Sequence, residues 1–544
     1  MKNDVTRVIH RLPKTWALIP AALIVLIGAA GAWASSFDEA MRLMVEGSFA
    51  DKKVAIEKLA DSGNDRTEAI LSALLEGDLY YSKDHDIVVV AKRTERLYAL
   101  QDAITGESLE PVKKRRLKKI GINNNLRSSL KSALARLRLT HPDPAVRLTA
   151  IEKMFRTLDP ESEALFRQML TSEPDGRVRK AIETAVALIV LRGDAGQPVD
   201  RIAAVEALSG NLHPSVRNTL SRLMADDPDP AVARAARAVL QGIERRIALF
   251  GFLETVFFGL SLGSVLVLAA IGLAITFGVI GVINMAHGEL IMLGAYTTYV
   301  LQQLMPEAVG WALFLSVPAA FLVTAAAGIA IERTVIRFLY GRPLETLLAT
   351  FGLSLSLQQA VRSIFSPLNR SVATPQWMSG AIQFNAVLSL TTNRVVIFLF
   401  SLLVFGTLTL LLKKSAIGLH VRAVSQNRAM ARAMGVRAAR VDALTFGLGS
   451  GIAGIAGVAL SQLTNVGPNL GQAYIVDSFM VVVFGGVGNL WGTLLGGLTL
   501  GVTNKFLEPW TGAVLAKILI LVFIILFIQK RPQGLFPQKG RAAG

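Results

Sequence analysis

Apolar runs dominate the second half of this 544-residue chain, and their lengths predict membrane-spanning helices. Runs near 253–282, 285–304, 311–331, 344–363, 394–412, 443–465, 472–489, 492–508 and 513–529 approach the ~20 apolar residues that a helix needs to cross a hydrocarbon layer. Trp311 to Ile331 meets that length cleanly, whereas the runs starting at 344, 472 and 492 are weaker and read as re-entrant or broken. The first half is patterned differently. Leu126, Leu130, Leu134 and Leu137 keep helical spacing, while Asp86 to Lys92 and Leu97 to Gln101 read as strands. The pattern therefore predicts a mainly α chain: a mostly helical domain over 35–246, then a polytopic helical membrane domain over 247–544 with about nine spans.

A repeat lies within the first domain. His141-Pro-Asp-Pro-Ala-Val146-Arg147 recurs as Glu173-Pro-Asp-Gly-Arg-Val178-Arg179, then as His213-Pro-Ser-Val216-Arg217, then as Asp227-Pro-Asp-Pro-Ala-Val232. Each Pro-containing turn starts a stretch whose small apolar residues return every three or four positions. From about residue 141 this resembles HEAT repeats, whose helical hairpins bury a core only by stacking on neighbours. A scaffold and a docking surface are the two readings of such a stack. The run Lys113 to Lys119 holds six basic residues in seven; it reads as a solvated face or as a contact for an acidic partner.

Charge orients the chain. Residues 247–544 carry 19 basic and 8 acidic residues, which supplies +11 of the net +17. Most of that excess sits in short loops between apolar runs, where the positive-inside rule accounts for it, so nucleic acid is not expected as a partner. Lys2, Arg7, Arg11 and Lys14 precede an apolar core, Ala17 to Gly31, and Ala32-Trp33-Ala34 forms a small-x-small site. Residues 1–34 thus read as a signal peptide or signal anchor that exports the domain behind it. Nine crossings from an external domain end in the cytoplasm, with Arg333, Arg337, Arg342, the 413–440 loop and Lys530 inside. No cysteine is present, which excludes disulfides and thiolate chemistry.

Three constellations carry candidate chemistry. Gly281-Val-Ile-Asn284-Met-Ala-His287-Gly-Glu289 sets an amide, an imidazole and a carboxylate between uncharged runs. Acids at membrane depth are costly and face a protein interior or a water path. The topology expects these residues at the cytoplasmic turn between the first two spans and at the start of the second. His287 and Glu289, two apart, point to different sides of a helix, so they do not form a metal pair. Asp477 precedes the glycine-dense Gly485-Gly-Val-Gly488-Asn489; glycines at that density serve close helix packing or a broken helix along the path. Lys413 to Arg440 has seven basic residues and no acid, and within it Ala429, Ala431, Arg432 and Ala433 lead to a stop at Gly435. This reads as a short helix for a partner's groove or as an interfacial helix on anionic lipid. No Walker pattern occurs, so the chain is expected to carry no ATPase site of its own.

Val279-Ile-Gly-Val-Ile-Asn-Met-Ala-His-Gly-Glu289, Gly294-Ala-Tyr296, the loop to Gly435 and Gly485-Gly-Val-Gly-Asn489 resemble the permeases of ABC importers for branched-chain amino acids and urea. The likeness covers about 250–535, and the wording around Asn284 together with the exported extension looks most like the B-type urea permeases. It implies a helical membrane permease of the inner membrane, working with a second permease subunit, two cytoplasmic ATPase subunits and a periplasmic substrate-binding protein. It implies ATP used by the partners, no cofactor on this chain, and Ala429 to Gly435 as the segment that docks on the ATPase. Asn284, His287, Glu289, Asp477 and Asn489 are the expected substrate path. The substrate reading is urea, with branched-chain amino acids or short amides as the alternative; an ion-coupled carrier or channel is the rival from another class.

Overall fold

The computed structural model describes residue 37 and residues 39–536, apart from 95–96, 159–161 and 194–196. The basic leader and its small-x-small site lie outside these residues. The chain divides into two compact units, Met1–Gln241 and Gly242–Gly544.

In the first unit, helices α1 (residues 39–46), α2 (Phe49–Asp61), α3 (Thr67–Glu76) and α4 (Asn124–Leu139) enclose an apolar cluster that includes Met44, Ile56, Ile70 and Leu130. Between α3 and α4 runs an antiparallel sheet of β1 (Leu79–Ser82), β2 (Ile87–Arg93), β3 (Tyr98–Asp102), β4 (Ser108–Val112) and β5 (Leu117–Lys119), in the order β4-β3-β2-β1-β5. The basic run ends as the edge strand β5: Leu117 is buried while Lys118 and Lys119 are exposed. Lysines on an edge strand discourage pairing with another chain.

The Pro-containing turns each begin a helix. These are α5 (Pro144–Met154), α7 (Gly176–Arg192), α9 (Pro214–Asp226) and α10 (Pro230–Ile280), with α6 (Glu163–Ser172) and α8 (Pro198–Ala207) between them. Asp143, Asp175 and His213 cap α5, α7 and α9 by accepting first-turn N–H groups. Arg147 on α5 reaches Glu173 at 2.6 and 2.9 Å and holds the His141 and Pro142 carbonyls. Arg147 thus ties its repeat to the turn of the next, whereas Arg179 bonds the Glu173 carbonyl of its own turn at 2.7 Å. The last two repeats are closer than the others: α9 and α10 each begin at a Pro-containing turn, only 16 residues apart, the length of one helix and its turn.

The second unit continues with α11 (His287–Leu304), α12 (Val309–Thr334), α13 (Pro343–Phe365), α14 (Thr392–Lys414), α15 (Ala416–Gln426), α16 (Arg428–Ala433), α17 (Ala438–Ser461), α18 (Leu470–Gly485) and α19 (Leu490–Lys530). A small hairpin of β6 (Ala381–Gln383) and β7 (Ser389–Thr391) precedes α14. Among the described helices α10, α12, α14, α17 and α19 are long and apolar enough to cross a membrane. The last two apolar runs share α19, which breaks at Gly512 (φ 78°) behind Pro509. The weak run at 472 becomes α18, only 16 residues or about 24 Å long.

Helix α13 falls short on hydropathy for a visible reason. Leu344, Leu348, Phe351 and Leu355 face outward, and Thr346, Thr350, Ser354 and Gln358, each four residues apart, are buried. Apolar side chains are exposed and polar ones face the bundle, the arrangement that suits a bilayer.

Candidate functional site

The site is assembled where α10, α11, α13, α17 and α18 meet. Helix α10 ends at Ile280; Gly281 (φ 75°) then turns the chain into an irregular segment that runs to Ala286. Asn284 Oδ1 accepts the Ala286 N–H at 3.0 Å and fixes the start of α11. His287 Nε2 donates to the Ala269 carbonyl at 2.9 Å. Glu289 Oε1 accepts Ser354 Oγ at 2.9 Å and Gln358 Nε2 at 2.7 Å. His287 therefore binds α10 while Glu289 binds α13, as two residues on different sides of one helix must.

These contacts set the depth of the site. Ala269 lies 11 residues before the end of α10, and Ser354 lies 11 residues after the start of α13. Each interval is about 16 Å of helix, half of a ~30 Å hydrocarbon layer. Asn284 lies in the connection between α10 and α11, and His287 and Glu289 in the first turn of α11, but their partners sit well along α10 and α13 rather than at the ends of those helices. The segment after Ile280 climbs back between the helices before α11 begins, which a count of spans does not reveal.

Helix α18 also begins at depth. An added Cβ at Gly288 would lie 2.6 Å from the Gly471 carbonyl oxygen, so the first turns of α11 and α18 touch backbone to backbone. Neither end carries a side-chain cap. Two helix N-termini with positive dipole ends meet inside the bundle, and such broken helices form substrate sites in transporters. Beside them, Asn284 Nδ2, His287 Nδ1 and Glu289 Oε2 are buried without hydrogen-bond partners. Buried polar atoms without partners are expensive. Glycines permit the packing: Gly294 against Gly454, and Gly457 against the Ile291 carbonyl, leave no room for a Cβ between α11 and α17.

The remaining expected residues fall elsewhere. Asp477 on α18 pairs with Lys517 on α19 at 3.0 Å, in a cavity of about 260 Å³ that also holds the Lys505–Glu508 pair at 2.6 Å. Asn489 is a helix cap: its Oδ1 accepts the Trp491 and Gly492 N–H groups at 3.1 and 3.2 Å. The glycine-dense stretch serves close packing and an inter-helix turn. Gly485 packs on Gly492, and Gly486 (φ 105°) and Gly488 (φ 79°) turn the chain between α18 and α19.

The basic loop forms α15 and α16. Gly435 (φ 85°) closes α16 in a Schellman motif, with Val436 N–H on the Ala431 carbonyl and Gly435 N–H on the Arg432 carbonyl, both 3.0 Å. Ala429, Arg432, Ala433 and Gly435 are exposed, together with Met430 and Met434. Ala431 is not on that outer face; it packs inward with Val421, Val424 and Val441. Arg428 pairs with the fully buried Asp442 of α17 and lies 4.9 Å over the Tyr340 ring, whose hydroxyl donates to Glu332 of α12 at 2.7 Å. Sequence reading missed Ser354, Gln358, Tyr340 and Asp442. Only the four-residue spacing of Thr346, Thr350, Ser354 and Gln358 signalled any of them in advance.

Apolar helices around a buried polar break define a polytopic membrane transport protein. Residues 255–528 match the model of the branched-chain amino acid transport system permease component, and the chain belongs to that family. It is 32% identical over 295 residues to the high-affinity branched-chain amino acid transport system permease protein LivH of Escherichia coli (strain K12), covering 52% of this chain and 95% of that protein. It is 32% identical over 298 residues to the corresponding permease protein BraD of Pseudomonas aeruginosa, covering 53% and 96%. A shorter likeness, 30% over 136 residues, 23% of this chain and 42% of the relative, is to the ribose import permease protein RbsC of Bacillus subtilis (strain 168). No solved structure matches.

Proposed function

We propose that this chain is the membrane-spanning permease subunit of an ATP-driven importer for a small zwitterionic amino acid of the branched-chain class. The observation that carries the substrate reading is the meeting of the α11 and α18 N-termini at Gly288 and Gly471 beside Glu289 with its unshared Oε2. Helix N-termini favour a carboxylate and the buried acid favours an ammonium. Apolar helices around them suit an aliphatic side chain. The similarity to LivH and BraD supports the same class. A second reading, urea, is favoured by the sequence around Asn284: the Asn284 amide and His287 Nδ1 would serve a neutral solute without any charge.

In this reading a periplasmic binding protein delivers substrate, a second permease completes the core, and two cytoplasmic ATPase subunits dock on Ala429 to Gly435. The chain sits in the inner membrane with its first unit, which carries the short HEAT-like stack from about residue 141, exported. The test is uptake by the complex reconstituted in vesicles. ATP-dependent accumulation of labelled leucine, unaffected by excess urea, is expected. ATP-dependent urea uptake that leucine does not inhibit would replace the amino-acid reading by the urea one. Uptake that persists without the ATPase subunits would sink both.

A further inference from the structure

A cavity beside the basic loop, with Asn489 on its lining, lies apart from the meeting of α11 and α18. It measures about 450 Å³, within the range of sites for small molecules, and lies between the ends of α10 and α14, α15, and the turn that starts α19. Lys413 and Arg422 stand on its lining and no carboxylate does. Arg422 donates to the Leu412 carbonyl at the end of α14, which holds its guanidinium at the rim. Thr409 Oγ1, also on the lining, is buried without a partner. Ile275 and Leu490 make the lining apolar further in. Trp491 is half exposed at the mouth, edge-on to Phe405 at 5.1 Å. Outside, the amphipathic α15 exposes Ile417 and Leu419.

Two cations, an unshared hydroxyl, an apolar lining and an interfacial tryptophan in one cavity describe a ligand that is anionic at one end and oily at the other. We propose that this cavity holds the phosphodiester headgroup of an anionic phospholipid of the inner leaflet, between Lys413 and Arg422. Basic pockets between helices at the cytoplasmic membrane face bind such headgroups, and tryptophan belongs at that level. A free phosphate would use the cations but gain nothing from the apolar lining. Helix α15 leads through Asn427 directly into α16, so an occupied cavity steadies the segment that carries Met430 and Met434. The proposal rests on the membrane orientation proposed above and not on the substrate.

The test is lipid retention by the purified full-length chain, read by native mass spectrometry after exchange into detergent with phosphatidylglycerol or phosphatidylcholine. Retention of phosphatidylglycerol alone, undisturbed by excess inorganic phosphate, is expected. Lys413→Gln with Arg422→Gln should lower it about tenfold or more, each charge near a membrane surface contributing substantially. Lys413→Arg with Arg422→Lys should keep it, as should the off-cavity control Lys414→Gln with Arg440→Gln. Equal loss in the control pair would overturn the site in favour of general surface charge. Displacement by inorganic phosphate would overturn the lipid in favour of a free anion. Retention unaffected by the Lys413/Arg422 pair would overturn the cavity. None of these readouts depends on transport.

Discussion

Gln358 donates to Glu289 at 2.7 Å across 69 residues of sequence, with both side chains buried. That bond joins the polar stripe of α13 to the first turn of α11 and accounts for a glutamine on a helix that otherwise presents leucine and phenylalanine to its surroundings.

Glu289→Gln should keep the protein inserted and folded while lowering leucine uptake at least tenfold, roughly the loss of one charge-assisted hydrogen bond of 1.5–3 kcal/mol. Glu289→Ala should in addition lower thermal stability, because Ser354 and Gln358 lose their acceptor. Uptake by Glu289→Gln equal to the parent's would remove Glu289 from the path and leave it a packing residue.

Close glycine contacts and open ones make a matched pair. An alanine Cβ at Gly294 would stand 2.1 Å from the Gly454 carbonyl oxygen, with only backbone opposite, whereas at Gly406 on α14 nothing lies within 4 Å. Gly294→Ala should cost about 1–3 kcal/mol or more by overpacking. Gly406→Ala should be neutral or slightly stabilising, since alanine is the better helix former. Melting of the two variants in detergent compares them directly.

Arg428 fastens α16 to α17. Arg428→Ala strands the buried Asp442 and should destabilise by about 2–4 kcal/mol, less than a fully buried pair because the arginine is partly solvated. Asp442→Asn in the same chain should recover most of that loss. In the complex, Arg428→Ala should leave ATP hydrolysis running with reduced uptake. A double mutant no more stable than Arg428→Ala would show that the pair is not the cause.

Acid should loosen the first unit in two stages. Burial holds His213 below its ordinary value of 6.5, and its neutral Nδ1 accepts the Ser215 N–H at 3.2 Å. Its contribution is complete above pH 6.5 and is lost as pH falls through the lower folded value. Glu173, hydrogen-bonded by Arg147, is held below 4.5, so its contribution persists above that pH and disappears as pH falls further. Hydrogen exchange in α9 should accelerate as pH drops below 6.5, after correction for intrinsic rates. His213→Asn, which retains a cap, should abolish that stage; an unchanged profile in this variant would exclude His213.

Much of the architecture was legible because its signals are local. Apolar runs coincide with helices α10 to α14 and α17 to α19, Pro-containing turns located the starts of α5, α7, α9 and α10, and Gly435 marked a helix stop. Asn284, His287 and Glu289 stood out because charge and amide are conspicuous between uncharged runs. What each of them does was not legible. Asn489 became a cap and Asp477 acquired Lys517 through partners 2 and 40 positions away, and spacing cannot rank such partners.

By itself the sequence determined the helical class, the glycines that allow backbones to touch, and the presence of polar residues that lipid cannot tolerate unpaired. The tertiary structure alone decided their depth and company. A chain that turns at Gly281 and climbs back between helices leaves no periodic trace, and a hydrogen bond such as Gln358 to Glu289 depends on how two helices are packed. Burial is a property of that packing, which set Glu289, at the start of α11, against Ser354, about 16 Å along α13 from that helix's first residue.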